Sequence, residues 1–380
     1  MIPYSRQFVD KKDIDSVKKV LKSDFLTQGN VLKKFENIVS KTVNSKYSIA
    51  VSNATAGLHL SCLALDLSPG DFLWTVPNTF VASANCGLYC GAIVDFVDIN
   101  LNTYNICVES LKKKLAISKK NYTLPKILVV VHFGGTPSEL KEIKYLSKKY
   151  NFKIIEDASH AFGAKYYNSK IGDNKYSDIT VFSFHPVKII TTAEGGVITT
   201  NSKRLAERIS NLRAHGISRK IINKQKWIYH LNELGFNYKM NEIQAALGIS
   251  QIKKLNHGLK QRHIQASIYE KLLKDLPLIL PKRDKNHYSS LHLYVVLIDN
   301  KKTKLTRSKL YNYLYKKKVI PGIHYIPVHT QPLYKRLGFK NGDFPVSEDY
   351  YSRCISLPLY VGLDINKQLR VISFLKSFFK

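Results

Sequence analysis

Three features of the chain predict an α/β fold with a mostly parallel central sheet and a smaller C-terminal α+β unit. Between residues 47 and 201, strand-like apolar runs alternate with stretches of helical periodicity. Some of those runs, 126–133 above all, are apolar nearly throughout, as a strand covered on both faces requires. Pro277 and Pro281 then follow a long helical stretch, and shorter elements come after them. The expected division is a large α/β domain over residues 1–260 and a small domain over 261–380. The first ~12 residues are a candidate for packing on the small domain.

In order, residues 10–23 have helical spacing. Phe25, Leu26, Thr27, Gln28 and Gly29 interrupt it as a loop, and 31–43 resume it. Residues 47–51 alternate as a strand. The turn Ser52-Asn53-Ala54-Thr55 leads into a helix whose Leu58, Cys62 and Leu65 recur at helical spacing. A strand, a small turn and a helix start present free N–H groups and a positive dipole end to an anion. Ordinary capping by Asn53 or Thr55 makes the same pattern. Strands follow at 72–77, 92–99, 126–133 and 152–155, separated by helices at 78–90, 101–124 and 138–150, joined by right-handed crossovers. In open sheets of this kind, ligands bind beyond the carboxyl ends of the strands. Thr55, Phe80, Asp157 and Ser183 all fall at such ends.

Residues 178–201 read DITVFSFHPVKIITTAEGGVITTN, two strands with Lys188 between them. Pro186 stops the first strand because it has no N–H for a ladder. Val187, Ile189 and Ile190 flank the lysine, and desolvation of an amine lowers its pKa and makes it a nucleophile toward carbonyls. A lysine stem lying on apolar surface with its ammonium in water fits the same residues. Asp157 likewise either serves a ligand or caps the loop Ala158-Ser159-His160-Ala161.

Residues 203–214 form a basic helix, 217–232 a polar, mobile excursion with Trp227 and Tyr229, and 242–273 one long helix. A strand within 288–299, alternating from Leu293 to Ile298, a helix at 307–317 and strands at 319–325 and 354–357 make the smaller unit. Regular strand spacing would put His324 and His329 on opposite faces, so no metal site is expected.

Composition narrows the classes. The 380 residues are 44% hydrophobic and 23% charged, values of a soluble globular protein. No apolar run approaches the ~20 residues of a membrane helix, so no membrane insertion is expected. The first fifteen residues lack a hydrophobic signal core, and the five cysteines have neither zinc nor CxxC spacing; a cytoplasmic, reduced protein is expected. The net charge of +31 comes from scattered lysines not interleaved with aromatics, which speaks against nucleic acid and for anionic metabolites.

Lys188, Asp157, an anion-holding turn at 52–55 and an aromatic at Phe80 are together what pyridoxal phosphate needs. These are a lysine for its aldehyde, a carboxylate for its pyridine nitrogen, a helix start for its phosphate and a flat face for its ring. Glu156 to Ala164 (EDASHAFGA), Phe182 to Lys188 (FSFHPVK) through Gly195-Gly196, and Gly235 to Met240 (GFNYKM) closely resemble the motifs of the DegT/DnrJ/EryC1/StrS family. The resemblance covers nearly the whole chain. It implies the fold-type I, aspartate-aminotransferase-like architecture of a pyridoxal 5'-phosphate-dependent transferase acting on sugars.

By this resemblance Lys188 is the Schiff-base lysine and Asp157 the pyridine-nitrogen partner. His160 stands where the family has His or Gln near the cofactor's phenolic oxygen. Ser183, Ala54 and Thr55 match phosphate contacts, Phe80 the stacking aromatic, and Asn237 a residue reaching the phosphate from the other subunit of a homodimer. One departure is visible: Asn53-Ala54-Thr55 replaces the family's frequent Ser-Gly-Thr, though alanine still offers its N–H. Sugar dehydratases of the family carry histidine at the lysine position, and Lys188 argues against that chemistry. The wording of FSFHPVKIITTAEGG, ELGFNYKMNEIQAALG and HYIPVHTQPLY looks most like members that aminate C4 of a UDP-linked 4-keto-6-deoxy-N-acetylhexosamine with L-glutamate. In those, Tyr4, Phe25, Leu26, Thr27, Gln28, Tyr325, Ile326, Pro327 and Val328 would contact the nucleotide-sugar.

Overall fold

A computed structural model describes residues 1–218 and 227–380. Seven strands form one sheet in the spatial order Tyr47–Val51, Gly196–Thr200, Ile179–Ser183, Lys153–Asp157, Ile127–Val131, Phe72–Thr75, Ile93–Phe96. Only Gly196–Thr200 runs antiparallel to its neighbours; the other contacts between adjacent strands are parallel. Ile127–Val131, Ile179–Ser183 and Gly196–Thr200 are buried at every position, which accounts for their mostly apolar or β-branched character.

Two hydrophobic clusters cover the sheet. One includes Leu32, Phe35, Val39 and Val43, the three-and-four-spaced stripe of helix Asn30–Val43. The other gathers Leu58 and Cys62 with Ile49, Val129 and Ile198. A third cluster joins Ile2 to Ala266, Tyr294, Leu310, Ile355 and Val371. There the N-terminal Ile2–Pro3 pairs in parallel with Val319–Ile320.

Two glycines set where helix Ala54–Ala64 begins. A Cβ on Gly57 would lie 2.8 Å from Val181 Cγ1, so only a glycine lets the helix settle this close to the sheet. A Cβ on Gly196 would lie 2.8 Å from Ala54 N, so the strand runs directly beneath the turn. Asn53, not Thr55, is the cap: its side chain accepts from Ala56 N–H.

Several sequence expectations change. The helix expected over 242–273 is two, Glu242–Ile252 and Leu255–Leu273. At the break the Lys254 ammonium is tied to Asp10 and Asp13, and Leu255 turns into the core. The strand expected over 319–325 shrinks to Val319–Ile320, the length its partner Ile2–Pro3 supports. Helices expected from 78 and 101 start at Ala82 and Val108. Tyr294–Ile298 is buried on both faces, so its alternation does not mark a solvent side. Of the excursion 217–232, residues 219–226 lie outside the described residues, and Ile217–Ser218 pairs with His230–Leu231. All five cysteines are free thiols, four of them buried.

Candidate active site

Thr55, Phe80, Asp157 and Ser183, expected at strand ends, open onto one cavity of about 720 Å³ at the carboxyl edge of the sheet. Tyr4, Ala54, His160, Lys188 and Tyr325 line it too.

Lys188 follows the strand Ile179–Ser183 after Pro186 and is held by its own N–H donating to His185 O at 2.9 Å. Ser5 Oγ donates to Val187 O at 3.0 Å, so the N-terminal segment braces the lysine loop. Desolvation brings the Lys188 amine down to about 8, and the charge of Asp157 opposes the shift.

Asp157 ends its strand at the cavity floor, 6% exposed. Its Oδ2 accepts from Ser83 Oγ at 2.6 Å, and its Oδ1 accepts from Ser159 N–H at 3.0 Å. Thr79 Oγ1 lies 2.7 Å from Ser83 Oγ and extends the network. The carboxylate is thus both a turn cap and a group presented to the cavity. The helix start at Ala54 and Thr55 opens onto the same space. Phe80 is 57% exposed and leaves a ring face open.

The remaining wall is histidine and tyrosine. His160 Nδ1 accepts from Gly134 N–H at 3.2 Å, and its Nε2 lies 3.1 Å from Tyr325 Oη. His292 packs on His160 with ring centroids 4.4 Å apart. His324 Nδ1 lies 2.8 Å from Ser356 Oγ, and burial holds this imidazole down to about 3. Burial keeps His160 and His292 well below their ordinary value and raises the Tyr325 phenol. His329 instead pairs with Glu348, away from the cavity.

Other expected contacts stand outside the cavity wall. Phe25, Leu26, Thr27 and Gln28 are exposed. The Glu242 carboxylate accepts from Gly29, Val31 and Leu32 N–H, and Glu242 N–H donates to Leu26 O, which pins that loop to a different helix start. Val328 is fully buried in a core cluster with its N–H donating to Pro77 O. Pro327 is buried, Ile326 is 48% exposed, and Asn237 is exposed beside Ala214. Sequence reasoning missed Ser83, Thr79 and His292, and also His59 and Tyr238, which line the cavity with Tyr238 Oη 3.4 Å from His59 Nδ1. Ser83 sits four residues past Thr79 inside a helix, and nothing in its local sequence marks it as Asp157's donor.

The side chains present fit pyridoxal phosphate. A buried, doubly hydrogen-bonded carboxylate, a depressed lysine, an uncovered aromatic face and a helix start with room above it converge on one space large enough for the group. When bound, the cofactor supplies the electron sink through which an amino group moves between an amino acid and a ketone. Lys188, near 8, can then hold or release a proton close to neutral pH.

Fold and cavity together define an aminotransferase of fold type I. The chain belongs to the DegT/DnrJ/EryC1/StrS aminotransferase family, whose profile matches residues 7–376. It is 38% identical to an uncharacterised protein of Methanocaldococcus jannaschii, across 99% of this chain and 97% of that one. It is 36% identical to the UDP-4-amino-4,6-dideoxy-N-acetyl-beta-L-altrosamine transaminase of Campylobacter jejuni, across 96% and 94%. Helicobacter pylori PseC, an aminotransferase of pseudoaminic acid biosynthesis, superposes with a TM-score of 0.91 at 31% identity, over 100% of this chain and 99% of that one. A putative sugar aminotransferase of Streptococcus pneumoniae, solved in PMP and PLP forms, superposes with TM-scores of 0.91 and 0.89 at 25% and 24% identity, over 99% of this chain and 98% of that one. The protein is therefore a PLP-dependent sugar aminotransferase, taking a keto sugar and an amino donor as substrates. No helix among the described residues is long and apolar enough to cross a membrane.

Proposed function

We propose that this enzyme transfers the amino group of L-glutamate to C4 of UDP-2-acetamido-2,6-dideoxy-β-L-arabino-hex-4-ulose. The products are 2-oxoglutarate and UDP-4-amino-4,6-dideoxy-N-acetyl-β-L-altrosamine, on the route to pseudaminic acid. The observation that carries this reading is the 36% identity, across 96% of this chain, to a transaminase named for that product. Lys188 carries the cofactor and moves the proton, and Asp157 faces the pyridine nitrogen. Ser183, Ala54 and Thr55 hold the phosphate, Phe80 covers the ring, and His160 stands by the phenolic oxygen. Tyr4 and Tyr325 meet the sugar from the cavity wall, with Ile326 and Pro327 beside them.

The working form is a cytoplasmic homodimer with shared sites. The exposed Asn237 and the exposed loop at 25–28 complete the partner's site rather than their own, which fits their position outside this cavity. Residues 1–260 act as the cofactor-binding domain and 261–380 as the small domain. The cluster that joins Ile2 to residues beyond 265 supports packing of the N-terminal segment on the latter.

A glutamate-dependent assay over UDP- and dTDP-linked 4-keto-6-deoxy sugars tests the assignment, read by 2-oxoglutarate release and product NMR. Amination of the L-configured UDP sugar at C4 is expected. Turnover on a D-sugar alone would overturn the substrate and keep the chemistry. A second reading, amination of another nucleotide-linked keto sugar, has its own support: the chain is 35% identical, over 95% of its length, to a spore coat polysaccharide biosynthesis protein of Bacillus subtilis.

A further inference from the structure

One residue far along the chain grips the loop at 25–28 on both sides. Glu242 Oε1 accepts from Gly29 N–H at 2.9 Å, and its Oε2 accepts from Val31 N–H at 2.7 Å and Leu32 N–H at 3.1 Å. The Glu242 N–H itself donates to Leu26 O at 3.0 Å. Thr27 and Gln28 lie between these two holds, with Gln28 at a φ of 57°. The residue is fully buried and both carboxylate oxygens are engaged with backbone, so Glu242 serves the chain and not a ligand.

Helix Asn30–Val43 depends on this distant carboxylate for its start. Its N-cap is Gly29, which has no side chain to accept a hydrogen bond, and its first turn carries no acidic residue. The carboxylate fills both roles from a position 213 residues beyond Gly29, and its charge meets the positive end of the helix. The fit is close: a Cβ on Gly29 would lie 3.1 Å from Glu242 Oε2 and 3.1 Å from Phe25 Cβ. Helix Glu242–Ile252, by contrast, caps itself. Asn241 and Gln244 exchange side-chain and backbone hydrogen bonds there, which fixes the turn that carries Glu242. Gln244 Nε2 also donates to Glu194 O at 2.8 Å, and Glu194 lines the cavity. The loop at 25–28 is thus fastened to a helix start that is itself tied to the cavity wall.

We propose that Glu242 is a positioning residue for the keto sugar: it fixes the loop at 25–28, and through that loop it sets sugar binding in the partner subunit's cavity. This rests on the reading above, in which the loop meets the sugar in a shared site. Loss of the carboxylate frees Gly29 from helix Glu242–Ile252 and removes one of the loop's two holds, while the backbone hold at Leu26 stays.

The test uses the PLP-loaded enzyme and the keto sugar that wild type aminates. Glu242→Ala should raise the sugar KM about tenfold, and Glu242→Gln, which keeps the shape and one acceptor, by less. The rate at which glutamate alone converts bound PLP to PMP should stay at the wild-type value in both, because no sugar takes part in that half. Adding Gly29→Asp to Glu242→Ala puts a local cap on helix Asn30–Val43. It should recover the melting temperature lost in Glu242→Ala and leave the KM raised, since the loop is still untied from helix Glu242–Ile252. KM and melting temperature returning together would mean that Glu242 only stabilises the helix, and would overturn the proposal. Phe25→Ala/Gln28→Ala checks the underlying reading: a wild-type sugar KM there would remove the loop from the sugar, and the proposal with it. A raised KM in that variant beside a wild-type KM in Glu242→Ala would overturn the positioning role alone and leave the loop's contact standing. A hybrid dimer of one Lys188→Ala and one Glu242→Ala subunit has a single working lysine, served by the loop of the subunit that keeps Glu242. Its KM should be that of wild type; a raised KM would place the loop at its own subunit's site and overturn the action on the partner.

Discussion

The two walls of the cavity are built in opposite ways. The wall of Lys188, Asp157, Ser183 and the turn at Ala54 and Thr55 consists of short motifs, each placed by the end of its own strand. The wall of His160, His292, His324, Tyr325 and Gly134 is assembled from four segments whose contacts span up to 165 residues of sequence. The first wall carries an amine and a carboxylate. The second supplies neutral, buried donors and acceptors whose orientation depends on tertiary contacts. Reactivity here is a local property of the chain, while orientation belongs to the whole fold.

If that division holds, the largest losses come from the motif wall. Lys188→Ala should lower turnover by on the order of 10³-fold or more, measured as 2-oxoglutarate formation, while pyridoxamine phosphate still binds in equilibrium dialysis. Normal turnover would remove the lysine from the chemistry. The same residue should reveal a cost in stability. Its folded pKa, about 8, lies below the ordinary value of 10.5, so the unfolded chain binds more protons between those limits and stability rises with pH there. Lys188→Met should therefore melt above cofactor-free wild type at pH 7, by up to about 3 kcal/mol, and the gap should narrow as pH rises from 8 toward 10. A constant gap across that range would mean that the amine is not desolvated.

On the role proposed for it, Asp157→Ala should cost on the order of 10²-fold in turnover, because the cofactor ring would lose the charge that keeps its nitrogen protonated. Gly196→Ala tests the same wall through the backbone. The added Cβ would lie 2.8 Å from Ala54 N, so either the strand or the turn must shift. About 1–3 kcal/mol of stability should be lost in thermal melts, together with PLP affinity. Loss of stability with PLP affinity intact would show that the turn does not hold the phosphate.

Most of this wall was legible in the sequence because its signals are local. A β-branched run gives the strand, a proline or a small turn ends it, and the functional residue falls within a few positions of that end. The mostly parallel sheet was legible for the same reason. The break at Lys253 and Lys254 was not, since helix periodicity continues through it and only the distant Asp10 and Asp13 mark it. Nor was Ser83, whose role depends on a carboxylate 74 residues away, or His292, whose neighbour is His160. The +31 charge contributes least to the cavity itself, where Lys188 faces a single close carboxylate and three neutral histidines.

Smaller effects should mark residues that serve the reacting groups at one remove. Ser83→Ala removes the 2.6 Å hydrogen bond to Asp157 Oδ2 and leaves the backbone donor at Ser159 in place. A hydrogen bond to a charged group contributes about 1.5–3 kcal/mol, so PLP affinity should fall roughly tenfold or somewhat more, read by fluorescence titration. The direction follows from the charge: a carboxylate with one donor fewer is held less firmly toward a protonated pyridine. If affinity stays at the wild-type value, Ser83 acts only by packing, and the second-wall logic, in which orientation comes from distant contacts, would not extend to the carboxylate.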